Sequence, residues 1–229
     1  MFFFDINYMI YMIPAFILMA LTSWYVRSSY SKWSKVPARS GLTGAQAAQR
    51  LISAGGLFGI QIQAVAGEMT DNYDPRTKIL NLSQDVAGGA SVAALAIAAH
   101  ELGHAMQDAE GYAPMRFRSA LVPAVNIGSS LGWIMILVGL FLNLVQIAWL
   151  GVMVFALGAV FALATLPVEF NASSRAKRLL SDSGIIVGEE ERGGVNSVLN
   201  AAALTYVAAL VTALLQVLYF GNLVRGRRN

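Results

Sequence analysis

The chain has 229 residues, 56% of them hydrophobic and 13% charged, with a formal net charge of +3 and no cysteine. So little charge excludes an ordinary soluble domain, and the absence of cysteine excludes both a disulfide framework and a thiolate metal site. The basic residues flank apolar segments without interleaved stacking aromatics, so they read as topology signals and not as a nucleic-acid footprint.

Ile6 to Val26 contains no Asp, Glu, Lys or Arg, and about 20 such residues cross a bilayer. The preceding Met1-Phe2-Phe3-Phe4-Asp5 lacks the basic start of a signal peptide, and no small-residue cleavage site precedes Arg27. Residues 1–27 are therefore expected to be a retained transmembrane anchor. Arg27, Lys32, Lys35, Arg39 and Arg50 follow this anchor and only Asp5 precedes it, which predicts an outside N-terminus and a cytoplasmic domain over residues 28–118.

Within that domain, Ser28 to Ser40 reads as a basic, Ser-rich connector. Leu42-Thr43-Gly44-Ala45 opens an amphipathic helix to about Ala54, stopped by Gly55-Gly56. Residues 59–65 and 77–83 alternate as strands, with Asp74-Pro75-Arg76 as the turn before the second. Strand 77–83 reads either as an edge strand for an extended substrate or as an ordinary sheet strand. A helix over about 91–109 follows, with Ser91 as N-cap and Gly111 as stop.

The interval Ser119 to Val168 is again free of charge and long enough for two spans. Asn143 and Gln146 interrupt it, predicting spans near 124–143 and 147–166, a tight hairpin between them and Trp149 close to that interface. The hairpin, residues 119–168, returns the chain to a cytoplasmic helical segment over 169–198 that carries Arg175, Lys177, Arg178 and Arg192, with Pro167 suited to a helix start. Residues 199–229 hold the end of the last charge-free interval and a basic tail of Arg225, Arg227 and Arg228, whose outside placement runs against the positive-inside rule. The expected fold class is a mainly α membrane protein: four transmembrane helices, with a small α+β zincin-like cytoplasmic domain inserted between spans one and two.

The helix over 91–109 carries the chemistry. Its His100-Glu101-Leu102-Gly103-His104 holds both histidines of the chain. On a helix, positions i and i+4 share a face, so both imidazoles can reach one Zn²⁺ while Glu101 serves as general base on a zinc-activated water. Gly103 keeps the helix slim beneath the metal. With no histidine left, the third ligand must be a carboxylate. Glu110 lies six residues after His104, but the glycine turn that metzincin spacing needs is replaced by Gln107. Glu169, in Leu166-Pro167-Val168-Glu169-Phe170, stands among apolar neighbours, and two spans bring it back to the side of His104. Glu169 is therefore assigned as the third ligand over its alternative, a helix-start carboxylate paired with Arg175.

Taken with Leu42-Thr43-Gly44, Thr70-Asp71-Asn72-Tyr73-Asp74-Pro75, Leu82-Ser83, Ala98 to Ala105, Leu166 to Phe170 and Asn200 to Tyr206, the chain resembles the YugP-type neutral zinc metallopeptidases. These are bacterial membrane proteins related in plan to the gluzincins of the HtpX type. The resemblance covers nearly the whole chain and implies a membrane-bound, zinc-dependent endopeptidase acting on membrane or membrane-proximal proteins, with a role in protein quality control. It also implies a multi-pass protein of the bacterial inner membrane with its site on the cytoplasmic face. The chain departs from the HtpX-type pattern at Ser173, where that pattern has Asp, and at Asn171, where similar sequences often carry an acid. Asp71 or Asp74 is then a candidate to orient a ligating imidazole, and Tyr73, Tyr112, Arg175 and Tyr206 are candidates to stabilise an oxyanion.

Two other readings compete. One is an intramembrane metalloprotease, against which Val86 to Ala99 offers only 14 uncharged residues. The other is a non-catalytic zinc-stabilised scaffold or chaperone, against which Glu101 is a base that a closed structural site would not need. The expected partners are the lipid bilayer and a protein or peptide substrate, with no nucleic acid; an oligomer or a regulatory membrane partner is not legible.

Overall fold

The computed structural model describes residues 6–226. Asp5, Arg227 and Arg228, on which part of the topology reading rests, lie outside the described residues. In chain order the elements are α1 (Ile6–Trp33), α2 (Gly44–Ala54), β1 (Gln61–Val65), β2 (Asn72–Asp74), β3 (Ile79–Ser83), α3 (Gln84–Gly88), α4 (Val92–Ala109), α5 (Ala113–Phe141), α6 (Val145–Phe155), α7 (Leu157–Asp182) and α8 (Glu189–Arg225).

Among the described residues, four helical stretches are long and apolar enough to cross a membrane: Ile6–Trp33, Ala113–Phe141, Val145–Asp182 and Glu189–Arg225. They cover the expected spans and extend past them, except that the second ends at Phe141, two residues before the expected end at 143. The connector expected from Ser28 is helical to Trp33. The hairpin between α5 and α6 takes three residues, and Asn143 turns it with φ 56°, a left-handed conformation that Asn tolerates better than most residues. The helix start expected at Pro167 is not there: Pro167 lies inside α7. A proline ahead of an acid reads equally as an N-terminus or as an interior proline of a spanning helix, where neighbours satisfy the freed carbonyl. The placement of Glu169 as a helix-start carboxylate falls with it.

The chain forms two compact units. One comprises residues up to Ser23, Arg116–Pro167 and those from Thr205 on. Here α5 and α6 pack through glycine. A Cβ on Gly132 would stand 2.6 Å from the Phe155 nitrogen, and one on Gly151 2.7 Å from the Ile136 nitrogen. Small residues let backbones meet where lipid gives helices no hydrophobic reason to associate. Aromatic edges complete the packing, with Trp133 and Phe155 against Phe220 at 5.1 and 5.3 Å and Tyr8 against Tyr219 at 5.2 Å.

The other unit comprises Trp24–Met115 and Val168–Leu204, so residues on both sides of the hairpin share one core. Leu51, Leu80, Leu82, Leu95, Leu102, Leu180, Ile185 and Leu199 are buried in it. A capping box starts α2: the Thr43 hydroxyl accepts from the Gln46 amide, and the Gln46 side chain accepts from the Thr43 N–H. The three-stranded sheet has the order β1-β3-β2, with β1 parallel and β2 antiparallel to β3. Of the two readings of strand 77–83, the structure selects the ordinary one, because β3 is paired on both sides. The edge beyond it belongs to β2, too short at three residues to show any alternation.

Candidate metal centre

Ser91 caps α4 by accepting from the Ala94 N–H at 3.2 Å, and Gly111, with φ 64°, follows its last turn. The alanine-rich face of α4, Ala93 to Ala99, is buried in protein on most of its positions. One turn further, His100 and His104 leave a common face with ring centroids 4.9 Å apart. The close approach of α7 is set by Gly103. A Cβ there would lie 2.5 Å from the Ala172 carbonyl oxygen and 3.0 Å from its carbon, so only a residue without a side chain lets the two backbones touch.

Three residues before Ala172 on α7, Glu169 enters the space between the rings. Its Oε2 lies 3.3 Å from His100 Nε2 and 3.5 Å from His104 Nε2, and one ligand atom from each of the three residues falls within 4.8 Å of the others. The carboxylate is 2% exposed. A buried anion needs a compensating positive charge, which two imidazoles supply only by protonation or by sharing a cation. For His104, burial opposes protonation, but the hydrogen bond and charge of Glu169 outweigh it and hold the imidazole above its ordinary value. Two imidazole nitrogens and one carboxylate oxygen, converging from two helices, are the donor set of a zinc site that keeps a coordination position open. The residues present fit Zn²⁺.

Beside this pocket, Glu101 is pushed above the ordinary carboxylate range by burial, with His100 and His104 pulling the other way. Its Oε2 accepts the backbone N–H of Tyr73 at 3.1 Å, which ties the motif helix to edge strand β2. The Tyr73 hydroxyl in turn donates to Asp108 at 2.7 Å, and Lys78 pairs with the same carboxylate. Burial and the bond to Asp108 push the Tyr73 phenol well above its usual range.

The ring nitrogens facing away from Glu169 are met by residues that spacing did not single out for the role. His100 Nδ1 is 3.2 Å from the Ser173 hydroxyl, and His104 Nδ1 is 3.0 Å from Gln107 Oε1. Gln107 is fully buried. Its amide nitrogen donates to the Val168 carbonyl at 2.8 Å and to Asn171 Oδ1 at 3.0 Å. Arg175 donates from Nε to the same Asn171 oxygen at 2.7 Å and from its two terminal nitrogens to Glu110 at 2.6 and 2.7 Å.

The other sequence candidates fall elsewhere. Glu110 caps the C-terminus of α4 and takes up Arg175, and Tyr112 lies under the Arg175 guanidinium at 5.9 Å. Asp71 accepts from the backbone and hydroxyl of Ser83 at 2.8 and 3.1 Å, while Asp74 accepts from the Arg76 N–H in the β2–β3 turn at 2.9 Å. Tyr206 lies on α8 in the unit that holds the apolar spans. A signal for Gln107 was available: a polar residue on the histidine face, one turn past His104, in a helix otherwise lined with alanine.

Two histidines and a buried carboxylate, in a chain with four membrane-length apolar helices, define a membrane protein of the zinc-peptidase class. Comparison with protein families agrees over residues 8–225, and the chain belongs to the family described as "Putative neutral zinc metallopeptidase". Among curated proteins it is similar to one named "Putative membrane protease YugP" from Bacillus subtilis (strain 168), with 44% identity over 195 residues covering 85% of this chain and 86% of that protein. No solved structure matches.

Proposed function

We propose that the chain is a membrane-bound zinc endopeptidase of gluzincin type, with His100, His104 and Glu169 as ligands and Glu101 as general base. The observation that carries this reading is the convergence of Glu169 on both imidazoles, with the Glu101 carboxylate beside them at the outer edge of β2. When bound there, zinc would polarise a peptide carbonyl and acidify a water. Glu101 takes the proton of the attacking water and delivers it to the leaving amine, a role for which its raised proton affinity suits it.

The Tyr73 N–H points to Glu101, so it does not serve the ladder to β3, and it marks the outer edge of β2, where α4 already takes that donor. A peptide that reaches the zinc pocket past that edge must be extended to bring its backbone to the Glu101 carboxylate. The substrate class is therefore an unfolded or extended segment of a membrane or membrane-proximal protein. Glu169 directly follows the charge-free interval 119–168, which supports a site near the bilayer surface, and the basic residues that follow the first apolar interval support the cytoplasmic side of a bacterial inner membrane.

The test is purified, zinc-loaded chain on an unfolded membrane-protein substrate. Glu101→Gln should retain zinc and cleave about 10²- to 10⁴-fold more slowly. Equal rates for the two proteins sink the reading, and a zinc-loaded but inert wild-type protein favours the scaffold instead.

A further inference from the structure

The bonds from His104 to Glu110 have one possible direction. A carboxylate only accepts and a guanidinium only donates, so the Glu110–Arg175 contact fixes the start. Because Arg175 Nε donates to Asn171, the Asn171 atom it meets is the oxygen. Gln107 then faces two acceptors, the Asn171 oxygen and the Val168 carbonyl, and must present its NH₂ to both. Its remaining atom, Oε1, points at His104 Nδ1 and only accepts. His104 must therefore carry a proton on Nδ1, which leaves the lone pair of a neutral ring on Nε2, the atom aimed at Glu169. Amide orientations and imidazole tautomers are normally chosen to suit a hydrogen-bond network. Here the ion pair at one end and the two acceptors around the Gln107 amide leave no choice.

Resting on the zinc-site reading above, we propose that Gln107 is a positioning residue that fixes His104 as the Nδ1–H tautomer, and that the Glu110–Arg175 ion pair, through Asn171, sets its polarity. Asp71 and Asp74, acids that could orient an imidazole, are engaged with Ser83 and Arg76 instead. A buried carboxamide does the work of an orienting carboxylate without adding a second anion beside Glu169. His100 lacks an equivalent lock: the Ser173 hydroxyl that meets its Nδ1 can donate or accept. The two ligands thus differ, one held by a rotatable hydroxyl and one by a four-residue relay that spans α4 and α7.

The chain contains two histidines, so histidine-selective ¹⁵N labelling gives four ring signals, assignable with His100→Gln. In full-length, zinc-loaded protein, His104 should show a protonated Nδ1 and a metal-shifted Nε2. Gln107→Leu, close in volume, should leave the Nδ1 proton of zinc-bound His104 to exchange quickly with solvent and should bind zinc about 10- to 100-fold more weakly in chelator competition. Arg175→Met should show the same change in smaller degree, because Val168 still holds the Gln107 amide. Leu199→Ala, a core truncation in the same unit, should lower thermal stability and leave the His104 signals alone. Ligation of wild-type His104 through Nδ1 overturns the relay while leaving the zinc site intact, and failure of wild-type protein to take zinc overturns both. If Gln107→Leu keeps wild-type affinity and a slowly exchanging Nδ1 proton, or if Leu199→Ala loses zinc to the same extent, the relay is wrong.

Discussion

Gly103 and Ala172 touch through their backbones: a Cβ on Gly103 would stand 2.5 Å from the Ala172 carbonyl oxygen. This contact sets how far Glu169 reaches toward the histidines. In a helix interior free of clash, Gly→Ala stabilises by up to about 1 kcal/mol. At this position the methyl meets backbone that cannot swing aside, and overpacking of that kind costs about 1–3 kcal/mol. Gly103→Ala should therefore lower the thermal midpoint and reduce the zinc content of purified protein. A rise in midpoint with full zinc would show that α7 does not need this contact.

Glu169 and Glu110 were the two carboxylates that spacing offered as third ligand, and the structure gives them different work. Glu169 lies between the imidazoles, and Glu110 holds Arg175. Glu169→Gln should lower zinc affinity by more than the roughly 10- to 100-fold expected for losing a partner of a ligand. Glu110→Gln should stay below that range. Chelator competition on both variants ranks them, and the reverse order would return the ligand role to Glu110.

Most of this site was legible because its chemistry is local. His100, Glu101 and His104 need only a helical period, and exclusion of further histidines left a carboxylate that span parity placed at Glu169. The helix over 91–109, its Ser91 cap and the tight turn at Asn143 were equally readable from short-range signals. What was not legible depends on partners distant in sequence. Gln107 acquires meaning only when Val168 and Asn171 arrive on another helix. Strand β2 exists because β3 offers an edge, not because three residues have a pattern of their own. Pro167 misled because the same residue marks a helix start in water and is tolerated mid-helix in a spanning segment.

The hydrogen bonds of Arg175 hold the Glu110 carboxyl below its ordinary value of 4.5. A carboxylate whose proton affinity falls on folding adds stability above its ordinary titration range and loses it as pH drops through the lowered value. Glu110 is 54% exposed, so solvent screening keeps the pair's contribution within about 1 kcal/mol. Metal-free Glu110→Gln should therefore melt slightly below wild type at neutral pH, and the gap should close as pH falls below 4.5. Melting curves in detergent across that range check the sign, and a gap that widens toward acid contradicts the assignment.

Asp108 reaches across to β2, where it takes the Tyr73 hydroxyl and the Lys78 ammonium. Those contacts fix Tyr73, whose backbone N–H is bonded to Glu101. The carboxylate thus acts on the general base through the strand. A typical hydrogen bond contributes about 1 kcal/mol, and about 1.4 kcal/mol changes a rate tenfold. Tyr73→Phe, which removes one bond and leaves the Lys78 pair, should lower the cleavage rate by less than about tenfold. Asp108→Ala removes both and should lower it further, while zinc content stays at the wild-type level in each variant. If Asp108→Ala instead sheds zinc at an unchanged rate per bound metal, Asp108 supports the metal ligands and not the placement of Glu101 against the strand.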